Sequence, residues 1–134
     1  MHWATDLIGK RYERGAQGPD AFDCWGLVRH VLARQYGIAV PAFPAPEDWA
    51  AANKLMTTAP ELQNWRLVPS MAEGQVVFMA RRKHPVHVGL CVVASGRLAV
   101  LHCAEPAGVL CQRPEGLQAA GWGRLTHYRH HTCT

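Results

Sequence analysis

The sequence contains no long apolar run. No stretch approaches the ~20 residues that a bilayer-crossing helix needs, so no membrane span is expected. The opening residues, Met1-His2-Trp3-Ala4-Thr5-Asp6, lack the basic-then-apolar order of a secretory signal. The cytoplasm of the producing cell is therefore the expected location. Cysteine is sparse: Cys24, Cys91, Cys103, Cys111 and Cys133 include no C-x-x-C pair, and the first stands 67 positions before the next. That spacing excludes a zinc ribbon and a thioredoxin-like redox motif, and no metal or other cofactor is expected. An odd count also leaves at least one thiol free. Charge is low as well. With 18% charged residues, 12 glycines and 9 prolines in 134 positions, the chain is neither disordered nor fibrous. Its net charge of +4 arises in the last 64 residues, where the one tight cluster, Arg81-Arg82-Lys83-His84, reads as a solvated loop. So short a basic run gives no expectation of specific nucleic-acid binding.

What is present is 49% hydrophobic residues in a length that suits one domain over residues 1–134. Such a chain buries about two-thirds of its unfolded surface, enough for a real core. Residues 3–8 read as a short helix stopped by Gly9, and a turn-rich loop with Gly15, Gly18 and Pro19 follows. Asp23 is a good N-cap, and residues 24–36 carry Leu27, Val28, Val31, Leu32 and Tyr36 at helical spacing before Gly37. Residues 41–60 hold Pro41, Pro44, Pro46 and Pro60 around a short helix at 49–56, and this insertion either walls a cleft or packs on the surface. From Gly74 the period changes from 3.6 to 2. Residues 75–79, 87–93 and 98–103 read as strands, with 109–112 and 125–129 as later ones and a hairpin turn at 94–97. The expected fold is α+β: N-terminal helices packed on a central antiparallel β-sheet, covered on one side by the helix that begins at Cys24. The run His127-Tyr128-Arg129-His130-His131 reads as an exposed terminus.

Cys24 heads the apolar face of its helix. A thiol in the first turn lies among unpaired backbone N–H groups and the positive end of the helix dipole, both of which favour a thiolate. The bland alternative is a small buried hydrophobe, which is the reading for Cys91, Cys103 and Cys111 in their apolar strands. Of eight histidines, register selects two. If residue 94 faces 97, Gly89 faces His102. His87 and His102 then emerge on one face as diagonal neighbours, about 7–8 Å apart at the backbone. Gly89 leaves space opposite His102. A cysteine beside two same-face histidines has the makings of a nucleophile, a base and an orienter.

These residues carry a resemblance. Tyr12, Gly15, Gly18 and the run Phe22-Asp23-Cys24-Trp25-Gly26-Leu27-Val28 resemble the nucleophile region of NlpC-type cysteine peptidases, the papain-like bacterial cell-wall endopeptidases. His87-Val88-Gly89-Leu90 resembles the second block of that family, and Leu101-His102-Cys103 the third. The resemblance implies a papain-like fold, with Cys24 as nucleophile, His87 as general base and His102 as its orienting partner. It places Tyr12 near the oxyanion or the substrate. Asp23 would meet the amino group of a peptidoglycan stem peptide or serve only as the N-cap. The implied bond joins D-glutamate, through its γ-carboxyl, to a diamino acid.

The sequence departs from the family pattern where Trp25 replaces the usual serine after the nucleophile. That exchange removes a contact to the substrate amine and narrows the pocket, so Trp25 is expected among the substrate-contacting residues. Gln75 stands where an acid is frequent, at a turn. A bare domain without signal peptide resembles the phage tail-assembly and prophage members, which gives a virion tail as a second expected location and tail proteins as expected partners. Two functions remain open: a cysteine endopeptidase cutting peptidoglycan stem peptides, or a catalytically silent structural tail-tip protein that keeps the fold and site.

Overall fold

The computed structural model describes residues 3–133. A 3₁₀ turn (Trp3–Asp6) leads to β1 (Arg11–Tyr12), which pairs in parallel with β2 (Ala21–Phe22). Asp23 then leaves the extended region with its side chain accepting from the Gly26 N–H, and α1 (Cys24–Tyr36) begins. The helix ends at Gly37 and buries Leu27, Val28, Val31 and Leu32, the stripe that its sequence spacing sets on one face. α2 (Trp49–Thr58) is capped by Asp48, whose carboxylate accepts from the Ala51 N–H at 2.8 Å. A second 3₁₀ turn (Pro60–Asn64) runs into β3 (Trp65–Val68).

The rest of the chain builds the sheet. β4 (Val76–Ala80), β5 (His87–Ala94), β6 (Arg97–Ala104) and β7 (Gly108–Gln112) follow in sequence, then α3 (Pro114–Ala119) and β8 (Arg124–His130). Strand order is β3-β8-β4-β5-β6-β7, with every neighbouring pair antiparallel. The class is α+β, as the change of period indicates. Ser95 and Gly96 (φ 52° and 75°) form the two-residue turn between β5 and β6, and Ala94 faces Arg97.

Three expectations need correction. The sheet is covered on both faces, not one. α1 packs against Val88, Leu90, Val92, Leu101 and Cys103 on one side, whereas Leu117 of α3 and Trp122 close over Val77, Met79, Cys91 and Val100 on the other. α3 is six residues long, too short to show a helical period, which is why its cover went unread. The 127–131 run is not an exposed terminus either. β8 lies between β3 and β4, and His130 is buried with its ring against Trp65. The N-terminal helix is only the single 3₁₀ turn given above.

Gly26 shows how tightly α1 is seated. A Cβ there would run into the backbone oxygen of Ala16, which accepts from the Asp23 N–H at 2.9 Å. Gly26→Ala is therefore expected to destabilise the chain by about 1–3 kcal/mol despite alanine's better helix propensity. Urea unfolding with an unchanged midpoint would contradict that packing.

Candidate functional site

Asp23 fixes the start of α1 from both of its oxygens. Oδ1 accepts from the Gly26 N–H at 2.6 Å, and Oδ2 accepts from the Gly15 N–H at 3.1 Å. The carboxylate is buried, and burial raises its pKa more than the two N–H donors and Arg14 lower it. Of the two roles expected for Asp23, the N-cap is the one these bonds describe. The next residue, Cys24, keeps partial exposure. Its sulphur lies within reach of the N–H groups of Val88 and Trp25, both of which favour the thiolate. Burial and the Asp23 carboxylate oppose them and push the thiol up to about 12. The thiolate expected at a helix start is thus outweighed by desolvation, and the free chain holds Cys24 as a thiol.

The two histidines meet as the register requires. Gly89 faces His102, and a Cβ on Gly89 would lie 3.1 Å from the His102 Cβ and 2.6 Å from Val100 Cγ1. His87 Nε2 and His102 Nδ1 are 2.9 Å apart, and His102 Nε2 is 2.7 Å from Gln112 Oε1. The chain of bonds sets both tautomers. The Gln112 oxygen accepts, so His102 carries its proton on Nε2 and presents Nδ1 as an acceptor. His87 then donates from Nε2 and keeps the lone pair on Nδ1. Burial, His102 and Arg81 lower the pKa of His87 to about 3, and burial lowers that of His102 against the pull of Gln112. Both rings are neutral near pH 7.

One further side chain holds His87. The Trp122 ring stacks on it at 4.9 Å with planes 16° apart, and the Arg81 guanidinium lies 4.3 Å from the Trp122 ring centroid. With one edge bonded to His102 and one face against Trp122, the imidazole has little freedom to turn. Gln112 and Trp122 were not singled out from the sequence. Gln112 faces Val100 across β6 and β7, so extending the hairpin register by one strand would have found it. Trp122 follows α3 in a stretch with no periodicity, and no signal marked it.

The histidines and the cysteine come from opposite faces of the sheet. His87, His102 and Gln112 share the α3 side with Trp122, whereas Cys24 packs into the cluster on the α1 side. They approach one another at the start of β5, where the Val88 N–H reaches the Cys24 sulphur one residue from His87. Tyr12 stands near by on β1. Burial first, then the neighbouring Cys24 and Asp23, raise its pKa and keep its hydroxyl a donor. Trp25 donates from Nε1 to the Pro41 carbonyl at 2.8 Å, and its ring lies 5.7 Å from that of Phe43. It therefore ties the 41–60 insertion to the helix start, and the insertion walls a cleft whose lining includes Cys24, Trp25, Phe43 and Met56. Cys91 and Cys103 are wholly buried, as expected, and the Cys103 thiol donates to the Phe22 carbonyl at 3.3 Å; Cys111 is only half-buried.

Buried neutral histidines make stability depend on pH. The folded chain keeps His87 unprotonated down to about 3, while the unfolded chain takes up a proton near 6.5. Between those values the unfolded state binds more protons, so stability falls as pH falls from about 6.5 towards 3. His87→Gln should flatten the decline in urea midpoint over that window; an unaltered slope would rule His87 out as its source.

Two comparisons with known proteins bear on this arrangement. The chain matches the NlpC/P60 family over residues 9–124. It is also 30% identical over 123 residues to a protein of Listeria innocua serovar 6a described as a probable endopeptidase p60, with 91% of this chain and 22% of that protein covered. The chain thus spans about a fifth of the length of that relative.

Proposed function

Since the chain belongs to the NlpC/P60 family, we propose that it is a cysteine endopeptidase of cell-wall peptidoglycan, cutting the bond between the γ-carboxyl of D-glutamate and a diamino acid in the stem peptide. The observation that carries this reading is the bonded row Gln112–His102–His87, which leaves an unprotonated Nδ1 on a fixed, neutral imidazole one residue before Val88, whose N–H reaches the Cys24 sulphur.

The chemistry follows from these states. As the Cys24 sulphur attacks the carbonyl carbon, the thiol proton passes to His87 Nδ1, and His102 supports the imidazolium through its acceptor nitrogen. The negative oxygen that forms would be met by the Cys24 N–H at the unpaired end of α1 and by the Tyr12 hydroxyl. Collapse breaks the C–N bond, the amine leaves with the proton from His87, and the acyl group stays on sulphur as a thioester. Water, deprotonated by His87, then attacks the thioester, releases the carboxylate and returns the thiol. Asp23, with both oxygens committed to N–H groups, acts in this scheme by seating Cys24.

A second reading has one observation in its favour. A thiol pushed up to about 12 by burial also suits a silent structural protein that retains the site, such as a phage tail-tip component. Hydrolysis of purified peptidoglycan separates the two. Wild-type chain is expected to release peptides with new N-terminal diamino acids, and Cys24→Ala and His87→Ala to lose at least about 10³-fold of that rate with the fold intact. No release by the wild type, with folded protein shown by circular dichroism, would leave the structural role.

A further inference from the structure

The basic run Arg81-Arg82-Lys83-His84 has no aromatic among its charges, and as a sequence it reads as a solvated loop. The fold changes its surroundings. Trp49, at the start of α2, stacks on His84 with ring centroids 6.5 Å apart and planes 20° apart. Asn53 Nδ2 donates to the Pro85 carbonyl at 3.2 Å, which fastens the same helix to the same loop. The result is a groove lined by Trp49, Arg81, Arg82, Lys83, His84 and Val86, with no acid in its walls. All four members of the basic run are exposed, and Trp49 is 66% exposed. Among the described residues the one ion pair is Arg11–Glu13, so none of these cations has a carboxylate partner. Asp48, the acid next to Trp49, has its carboxylate on the Ala51 N–H.

Adjacent cations without counter-charges favour an anion, and a guanidinium fork matches the oxygens of a phosphate. A large exposed indole asks for something more than charge, namely C–H groups to cover its face. A free phosphate would leave the indole bare, and an apolar partner would leave the cations unpaired. A single-stranded nucleic acid would want several rings for successive bases. Of the Phe, Tyr and Trp side chains described, Trp49 alone is exposed. We propose that this groove binds a phosphodiester-linked polyol or sugar chain of the cell envelope, with phosphates on Arg82 and Lys83 and one chain unit lying on the Trp49 ring. The choice of an envelope polymer rests on the peptidase reading, which brings the chain to the wall. The groove takes no part in the attack on the carbonyl. It adjoins the site through Arg81, whose guanidinium lies against the Trp122 ring that stacks on His87, so a polymer held there would keep the enzyme beside its substrate.

The test measures binding of a fluorescently labelled glycerol phosphate hexamer to the full chain by anisotropy. Binding is expected at about 50 mM salt and should weaken several-fold by about 250 mM. Arg82→Gln with Lys83→Gln should weaken it at least about tenfold at the lower salt. Trp49→Ala should cost at least about fivefold, and Trp49→Phe, which keeps a ring, should restore most of the loss. An oligothymidylate with the same number of phosphates, and inorganic polyphosphate, should each compete at least about tenfold less well than unlabelled hexamer. No binding of the hexamer, binding indifferent to Trp49→Ala, or equal competition by either other polyanion would each overturn the proposal; the last would make the groove a general polyanion surface. Hydrolysis of polymer-free peptidoglycan by the same chain keeps the two levels apart. Hexamer binding without hydrolysis would remove the peptidase reading and leave the groove its ligand, and hydrolysis without hexamer binding would do the reverse.

Discussion

Two backbone N–H groups eleven residues apart, those of Gly15 and Gly26, converge on the single buried carboxylate of Asp23. That shared acceptor decides where α1 begins and how the preceding loop lies across it. Everything the cysteine can do depends on the result. One turn of slippage would carry the Cys24 sulphur away from the Val88 N–H and from the end of β5. The absence of a Cβ on Gly26 belongs to the same constraint, since the Ala16 carbonyl that receives the Asp23 N–H occupies the space a methyl would need. A helix cap ordinarily contributes about 1 kcal/mol; here it also sets a position from which chemistry can be done.

The site joins two cores that the sheet otherwise keeps apart. The histidines grow out of the layer shared with α3 and Trp122, and the cysteine out of the layer beneath α1. Burial from both sides removes charge from both groups, raising the thiol and lowering the imidazole. Desolvation therefore dominates over the helix dipole and the local N–H donors. The proton stays on sulphur, and hydrogen bonding rather than charge fixes the lone pair on His87. Gln112 is the neutral end of that row, so the tautomers are set without an acid in the relay.

Much of this was legible in the chain. Leu27, Val28, Val31 and Leu32 announce α1 to the residue, because apolar side chains three and four positions apart share one face of a helix and would scatter over both faces of a strand. The pairing of Gly89 with His102 follows from a two-residue turn and the period of a strand, and it brought His87 and His102 to one face correctly. What could not be read depends on contacts between segments. Trp122 finds His87 only through the fold, and α3 is too short to show a period. The thiol's protonation state is a property of how much protein surrounds it, which no local motif near Cys24 records. The His127–His131 run misled because polar residues on an interior strand look like a tail until their neighbours are known; β3 and β4 flank them on either side.

The bond from Trp25 to the Pro41 carbonyl has a consequence for how such a domain can change. The residue next to the sulphur also anchors the cleft's outer wall, so any displacement of the 41–60 segment would reach Cys24 through a single peptide unit. A descendant that acquired a shorter or longer wall would have to alter position 25 at the same time or accept a displaced cysteine. Selectivity and reactivity are in this way inherited together, as one mechanical unit rather than two independently adjustable traits.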